Sequence, residues 1–135
     1  MDAELGWDLP PGLDEFLLAR IAEDKRMADD AAGASGRETW SVEDASSDGP
    51  GQRETAEHVA RYDPGRVLAE STAKRRIVLA CRAARPDMSF LGARPPGMKD
   101  FPLTPHDPHQ FAALTLALLA LPYADHPDFR PEWRP

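Results

Sequence analysis

Four histidines are the side chains of this sequence best suited to bind a divalent cation. His106 and His109 stand three residues apart, while His58 and His126 lie elsewhere in the chain. Imidazole is a common zinc ligand, but a metal site needs several ligands at a matching spacing. No such spacing links these four residues, and His106 and His109 flank the start of a predicted helix. We therefore expect capping and surface roles for them and predict no bound metal.

Glu70 and Lys74 form a second candidate, because they place a carboxylate and an ammonium group on one helix face. Projected at about 100° per residue, both fall in the apolar sector beside Val67 and Val78. Such a pair could serve catalysis or bind an anion. The alternative is a structural ion pair at the i, i+4 spacing, whose aliphatic stems cover the edge of the core. We favour the structural interpretation.

The sequence offers little else that is typical of an enzyme. Cys81 is the single cysteine, which excludes an intramolecular disulfide, and no activating base is identifiable beside it. We interpret it as a small buried side chain. The chain has no glycine-rich phosphate loop, no serine-hydrolase elbow and no H-E-x-x-H motif. We therefore lean against an enzyme and predict no cofactor.

Aromatic side chains could line a binding groove or could seal a small core. The aromatic residues for which both roles are open are Trp40, Tyr123, Phe129 and Trp133. We favour sealing, because a domain of this size buries few other large side chains. The last three lie in the segment 122–135, so we expect this tail to fold back onto the helices.

Three helices must position these residues, and the sequence predicts them at 13–32, 64–84 and 108–121. Gly33 and Gly36 favour the end of the first helix. The second and third each begin with an Asp-Pro pair, an N-cap acceptor followed by a proline at the first helical position. The third has apolar residues on nearly every side and is expected to be the most buried element.

A small two-stranded β-hairpin is predicted over residues 39–61, between the first and second helices. Trp40, Ser41 and Val42 alternate as in a half-buried strand, Thr55 to Arg61 is the second strand, and Asp48 to Gly51 has turn composition. The predicted fold class is thus α+β, mainly α. We expect a leader over 1–12, a single small domain over 13–135, and a proline-rich loop over 85–105.

Charge excludes several classes of partner. The 135 residues carry 16 Lys and Arg against 23 Asp and Glu, a net charge of −7. A nucleic-acid binder normally needs a basic face, and a peripheral membrane protein a polybasic patch. The longest strongly apolar stretch, Phe111 to Leu121, is well short of the ~20 residues of a membrane span. The N-terminus lacks the pattern of a signal peptide, so we expect a cytoplasmic location.

Two long strings, His58 to Ile77 and Leu119 to Trp133, together with Trp40-Ser41-Val42, carry a family resemblance. The chain resembles a family of small proteins of actinobacteria and their phages, a domain of unknown function. The resemblance implies no activity, substrate or cofactor. It places in motif positions nine candidate ligand-binding residues: His58, Asp63, Arg66, Glu70, Lys74, Tyr123, Asp125, His126 and Trp133. A site would lie where the second strand, the second helix and the tail meet.

The leading hypothesis is a non-enzymatic interaction module that binds another protein, because the chain is small, acidic and without catalytic motifs. An acidic surface suits a basic partner. The alternative is a small enzyme or ligand-binding domain that uses His58, Glu70, Lys74 and His126. A DNA-reading helix that uses Arg66, Arg75, Arg76 and Arg82 is opposed by the overall charge. The sequence leaves the oligomeric state open.

Overall fold

The computed structural model of this protein describes residues 11–46, 51–92 and 102–135. These residues form five α-helices and three short 3-10 helices, and no β-strand occurs among them. The α-helices are α1 (Leu13–Ser35), α2 (Val42–Ala45), α3 (Gln52–Arg61), α4 (Pro64–Ala83) and α5 (Pro108–Ala120). The 3-10 helices are Met88–Gly92, Leu121–Tyr123 and Pro131–Trp133. None of the described helices is long and apolar enough to cross a bilayer.

The predicted β-hairpin, and with it the α+β class, is wrong. Ser41 does not pair in a strand but caps the short helix α2. Its hydroxyl accepts a hydrogen bond from the Asp44 backbone N–H, and the Asp44 carboxylate accepts one from the Ser41 N–H at 2.8 Å. This reciprocal capping box satisfies two backbone donors locally, so the segment needs no partner strand.

The second predicted strand is helix α3. Ala56 is fully buried, and Val59 and Ala60 are half-buried. These positions are three and four residues apart, which is the spacing of one helix face and not the alternation of a strand. Gly51 precedes the helix with a left-handed φ of 75°, a conformation that glycine adopts at little cost. Residues 48–50 of the predicted turn lie outside the described residues.

The other three helices begin at the predicted residues, and their ends differ by one to three residues. α1 continues through Gly33 to Ser35 and stops at Gly36, whose φ of 78° is left-handed. α4 ends at Ala83 just before Pro86, and Arg85 takes the left-handed conformation with φ 58°. Proline and the positive-φ residues therefore mark the helix ends as the sequence indicates.

Contacts group the chain into two compact units. The central unit is Ile21–Arg75, and the terminal unit is Met1–Arg20 with Arg76–Pro135. The central unit contains α2, α3, the C-terminal part of α1 and the N-terminal part of α4. Its buried residues include Ile21, Ala28, Ala56 and Ser71. The expectation of a single domain stays a prediction.

The terminal unit has the larger aromatic core. The buried ring of Phe16 contacts three rings of the tail, with centroids 5.5 Å from His126, 6.0 Å from Phe129 and 5.2 Å from Trp133. Trp133 is only 4% exposed. The tail 122–135 is thus held by edge-to-face and tilted aromatic contacts within this unit, as the sequence analysis expected.

Helix α5 is less buried than its composition predicts. One side is buried through Ala112, Ala113, Leu116, Ala117 and Ala120. The opposite side leaves Phe111 62% and Leu118 51% exposed. The helix is therefore apolar on both sides but covered on one.

Part of the predicted proline-rich loop is ordered as a turn. Met88–Gly92 is a 3-10 helix in which Phe90 and Leu91 are buried, and it packs against α5. Residues 93–101 of that loop, and residues 1–10 of the predicted leader, lie outside the described residues.

Candidate functional site

A groove of about 350 Å³ opens in the central unit between the C-terminal part of α1 and the start of α4. Its lining is mostly apolar or aromatic, and its three charged residues, Asp24, Glu70 and Lys74, are called the groove rim below. The lining residues are Asp24, Met27, Ala28, Ala31, Trp40, Tyr62, Pro64, Val67, Glu70, Ser71 and Lys74. Two of the nine candidate residues, Glu70 and Lys74, lie on this rim.

A ladder of polar side chains runs beside the groove at a spacing of four residues. The rings of His58 and Tyr62 are 5.0 Å apart, and the guanidinium carbon of Arg66 lies 4.4 Å from the centre of the Tyr62 ring. Arg66 Nε then donates to Glu70 Oε1 at 2.9 Å. The cation–π contact and the ion pair thus connect α3 to α4 and hold Tyr62 at the groove.

The partner of Glu70 differs from the expected one. Its carboxylate is bound by Arg66, four residues before it, and no ion pair joins it to Lys74 among the described side chains, although Lys74 also lies on the groove rim. The hydrogen bond to Glu70 raises the pKa of the Arg66 guanidinium, so this group stays charged. Glu70 pairs with Arg66 rather than with Lys74 because the aromatic face of Tyr62 holds the planar Arg66 guanidinium in place.

Asp63 joins the loop before α2 to the start of α4. Its Oδ1 accepts from the Arg66 backbone N–H at 2.9 Å, which is the predicted N-cap, and its Oδ2 accepts from the Trp40 N–H at 3.0 Å. The Gly65 N–H also donates to Glu38 O at 2.8 Å. A Cβ on Gly65 would lie 3.3 Å from that oxygen, so glycine permits the close approach.

The Trp40 indole is oriented by a second set of hydrogen bonds. Its Nε1–H donates to Ser35 Oγ at 3.0 Å and to Arg37 O at 3.2 Å. The polar edge of the ring is therefore satisfied within the loop after α1, and the ring lines the groove. Trp40 accordingly lines a groove, and the predicted sealing role is wrong for this residue.

The nine candidate residues divide between the two units. The central unit contains His58, Asp63, Arg66, Glu70 and Lys74, all connected through the ladder, the α4 cap or the groove rim. The terminal unit contains Tyr123, Asp125, His126 and Trp133. There His126 packs on Phe16, and its Nδ1 accepts from the Asp128 backbone N–H at 3.0 Å.

The surroundings of His109 and Cys81 indicate structural roles for both side chains. His109 Nδ1–H donates to the carbonyl oxygens of Ala84 and Arg85 at 2.9 and 3.0 Å, which caps the end of α4. Partial burial raises the pKa of the Cys81 thiol, so the thiolate is disfavoured. Over the described ranges, no three His, Cys, Asp or Glu side chains are grouped in a way that could hold a metal ion.

Sequence reasoning missed the residues that form most of the groove. Tyr62 lies in the family-like string and stands four residues after His58 and four before Arg66, a spacing that predicts contact on a helix face. Met27, Ala28 and Ala31 carried no comparable signal, because small or flexible apolar residues on a helix indicate core and groove equally well.

Comparison with known proteins agrees with the family resemblance in part. No curated protein and no solved structure matches the chain. A family model described as a family of unknown function matches residues 11–135, a range that includes every described helix. The chain therefore belongs to the family of unknown function DUF6221.

Proposed function

We propose that this protein is a non-enzymatic interaction module, and that the groove of the central unit binds a partner segment through one apolar anchor side chain flanked by basic residues. The observation that carries the proposal is the groove itself, an apolar and aromatic depression with a charged rim. Interfaces are commonly anchored by a few apolar or aromatic side chains that fill such pockets.

The size of the groove supports an anchor side chain rather than a large ligand. Its volume of about 350 Å³ is at the small end of the ~300–1,000 Å³ range of ligand pockets. Ala28 and Ala31 keep one wall low, and Met27, which is 69% exposed, can adapt its flexible side chain to the occupant. One or two side chains of a partner would fill this space.

The charge of the central unit supports basic neighbours for that anchor. Residues 21–75 carry twelve acidic and eight basic side chains, a net charge of −4. The groove lining itself carries two acidic residues, Asp24 and Glu70, and one basic residue, Lys74, a net charge of −1, and Glu70 is paired with Arg66. A basic segment would therefore be attracted by the unit as a whole, and this attraction raises the association rate and weakens with salt.

Defined peptides test this proposal. Fluorescein-labelled peptides with arginines on both sides of a central Leu or Phe are compared with a peptide that has Ala at the centre and one that has Glu flanks. We expect anisotropy to show binding of the first two, with at least a tenfold preference over both comparison peptides. Equal binding of the Leu and Ala peptides would refute an apolar anchor.

A matched pair of variants assigns the binding to the groove. Ala31 lines the groove, whereas Ala34 is exposed on the same helix and is not part of the lining. Ala31→Trp fills the groove and should weaken binding at least tenfold, whereas Ala34→Trp should leave it unchanged. The same loss in both variants, or in neither, would place the peptide elsewhere.

A further inference from the structure

Helix α5 presents a second surface, which belongs to the terminal unit. This α5 outer face consists of Phe111, Leu114, Thr115 and Leu118. Phe111 and Leu118 are 62% and 51% exposed, Leu114 and Thr115 are half-buried, and all four fall on the side opposite to the buried alanines. A helix that is apolar on every side is normally covered on every side. One side of α5 has no covering group of comparable extent among the described residues.

The α5 outer face also lies in the longest uncharged part of the chain. No Asp, Glu, Lys or Arg occurs from residue 108 to residue 124, although such residues make up 29% of the sequence. A basic partner would gain nothing from charge on this face. The chain therefore separates a charged groove from a neutral, apolar helix surface.

We infer that the α5 outer face pairs with the α5 outer face of a second copy of this chain, with the two helices antiparallel. A two-fold axis between residues 114 and 115 brings Phe111 of each copy opposite Leu118 of the other. The central pair is then Leu114 against Thr115. The residues of this face can thus pair with themselves about a two-fold axis, as an isologous interface requires.

Charge also favours a second copy at this face. Each copy has a net charge of −7, so two copies repel each other wherever acidic surfaces meet. The α5 outer face itself carries no charged side chain, so two copies can approach there without opposing charges on that face. Added salt screens the remaining repulsion, since the Debye length falls from about 10 Å at 0.1 M to about 3 Å at 1 M.

The proposed interface is small, so we expect the two copies to associate weakly. A helix of 13 residues is about 20 Å long, and one face of it buries less than the ~800 Å² per partner of a standard interface. The dimer should therefore dissociate in the range of about 10–500 μM and exchange rapidly.

Sedimentation equilibrium of the full chain tests this inference. From 5 μM to 1 mM, the weight-average mass should rise from 14.9 kDa toward twice that value, and the association should strengthen between 50 and 500 mM NaCl. A mass that stays monomeric throughout, or an association that weakens with salt, would overturn the inference. If another segment of the same chain covers the α5 outer face, the mass should stay monomeric at all concentrations.

Charged variants test the register. Phe111→Glu and Leu118→Lys should each weaken self-association at least tenfold. An equimolar mixture of the two should associate again, because in the antiparallel pair the new carboxylate faces the new ammonium at one end, and native Leu118 faces native Phe111 at the other. A mixture no stronger than the single variants would overturn the antiparallel arrangement.

Two controls keep this test independent of folding and of the groove. Both variants should retain the helical circular dichroism of the wild type, because the replaced side chains are more than half exposed. Met27→Glu removes another exposed apolar side chain, on the groove of the central unit, and should leave the sedimentation profile unchanged. Loss of association in Met27→Glu but not in Phe111→Glu would assign dimer formation to the groove and overturn the inference.

Discussion

The two units use their aromatic side chains in different ways. In the terminal unit, Trp133 is buried among Phe16 and Phe129, and the tail that carries it completes the core. In the central unit, Trp40 is half-buried, its indole nitrogen is bonded to the adjacent loop, and one ring surface lines an open groove. Residue type alone therefore does not decide whether a tryptophan completes a core or lines a groove. The local hydrogen bonds and the covering elements decide it.

The largest expected effect contrasts these two tryptophans. Trp133→Ala removes a buried aromatic ring from the terminal unit and should lower the free energy of unfolding by about 3–5 kcal/mol. Trp40→Ala removes a half-buried ring and should cost about 1–2 kcal/mol. Urea denaturation followed by circular dichroism measures both. Equal losses would contradict the distinction between a sealing and a lining tryptophan.

A smaller contrast concerns the two Asp-Pro helix starts. Asp63 caps α4 and also holds the Trp40 N–H, whereas Asp107 caps α5 through the Gln110 N–H at 2.8 Å. Asp63→Ala should therefore cost about 1–2 kcal/mol and Asp107→Ala about 1 kcal/mol. Asp107→Asn keeps the one acceptor oxygen that its cap uses and should lose less than half as much, whereas Asp63→Asn offers one acceptor oxygen to two N–H donors and should lose nearly as much as Asp63→Ala. A costlier Asp107→Ala would show that the Asp63–Trp40 contact adds nothing.

Arg85 gives a stabilising prediction for the terminal unit. Its φ of 58° is left-handed, and a residue with a Cβ is strained in that conformation at a helix end. Arg85→Gly should raise the free energy of unfolding by about 0.5–1 kcal/mol, and its backbone carbonyl remains available to His109. Arg82→Gly, which places glycine inside α4 and removes the ion pair with Asp14, should be destabilising.

The smallest effect is a dependence of central-unit stability on pH. The Ser41 backbone N–H holds the pKa of Asp44 below its ordinary value of 3.8, and Arg37 adds to this. Because the folded-state pKa is lowered, the contribution is present above the unfolded pKa and is lost as the pH falls through the lowered value. The stability difference between the wild type and Asp44→Asn should thus be largest near neutral pH and vanish at strongly acidic pH. A constant difference in urea titrations would contradict this origin.

The sequence predicts the three long helices because strong local signals mark their ends. Asp63-Pro64, Asp107-Pro108, Gly36 and Pro86 act within one turn of the backbone, so they need no knowledge of tertiary contacts. The hairpin prediction failed because three alternating residues, Trp40 to Val42, are too few to distinguish a strand from a capped helical turn. The helical spacing of Ala56, Val59 and Ala60 was the better signal.

The candidate site was predictable in its charged part and not in its apolar part. Arg66, Glu70 and Lys74 are four residues apart, His58 lies eight residues before Arg66, and the family-like string contains them all. Glu70 has a basic residue four positions away on either side, and the Tyr62 ring decides between them by fixing Arg66. That ring contact, like the division of the nine candidates between two units, depends on tertiary structure.

We propose above that the groove of the central unit binds a basic segment through an apolar anchor. Titration of the ¹⁵N-labelled protein with the arginine-flanked Leu peptide, followed by amide chemical shifts, tests it most directly. We expect saturable shifts that cluster at the groove residues Ala28, Ala31, Trp40, Tyr62 and Val67, with none at Phe111 to Leu118. Shifts centred on α5, or scattered over both units without saturation, would contradict it.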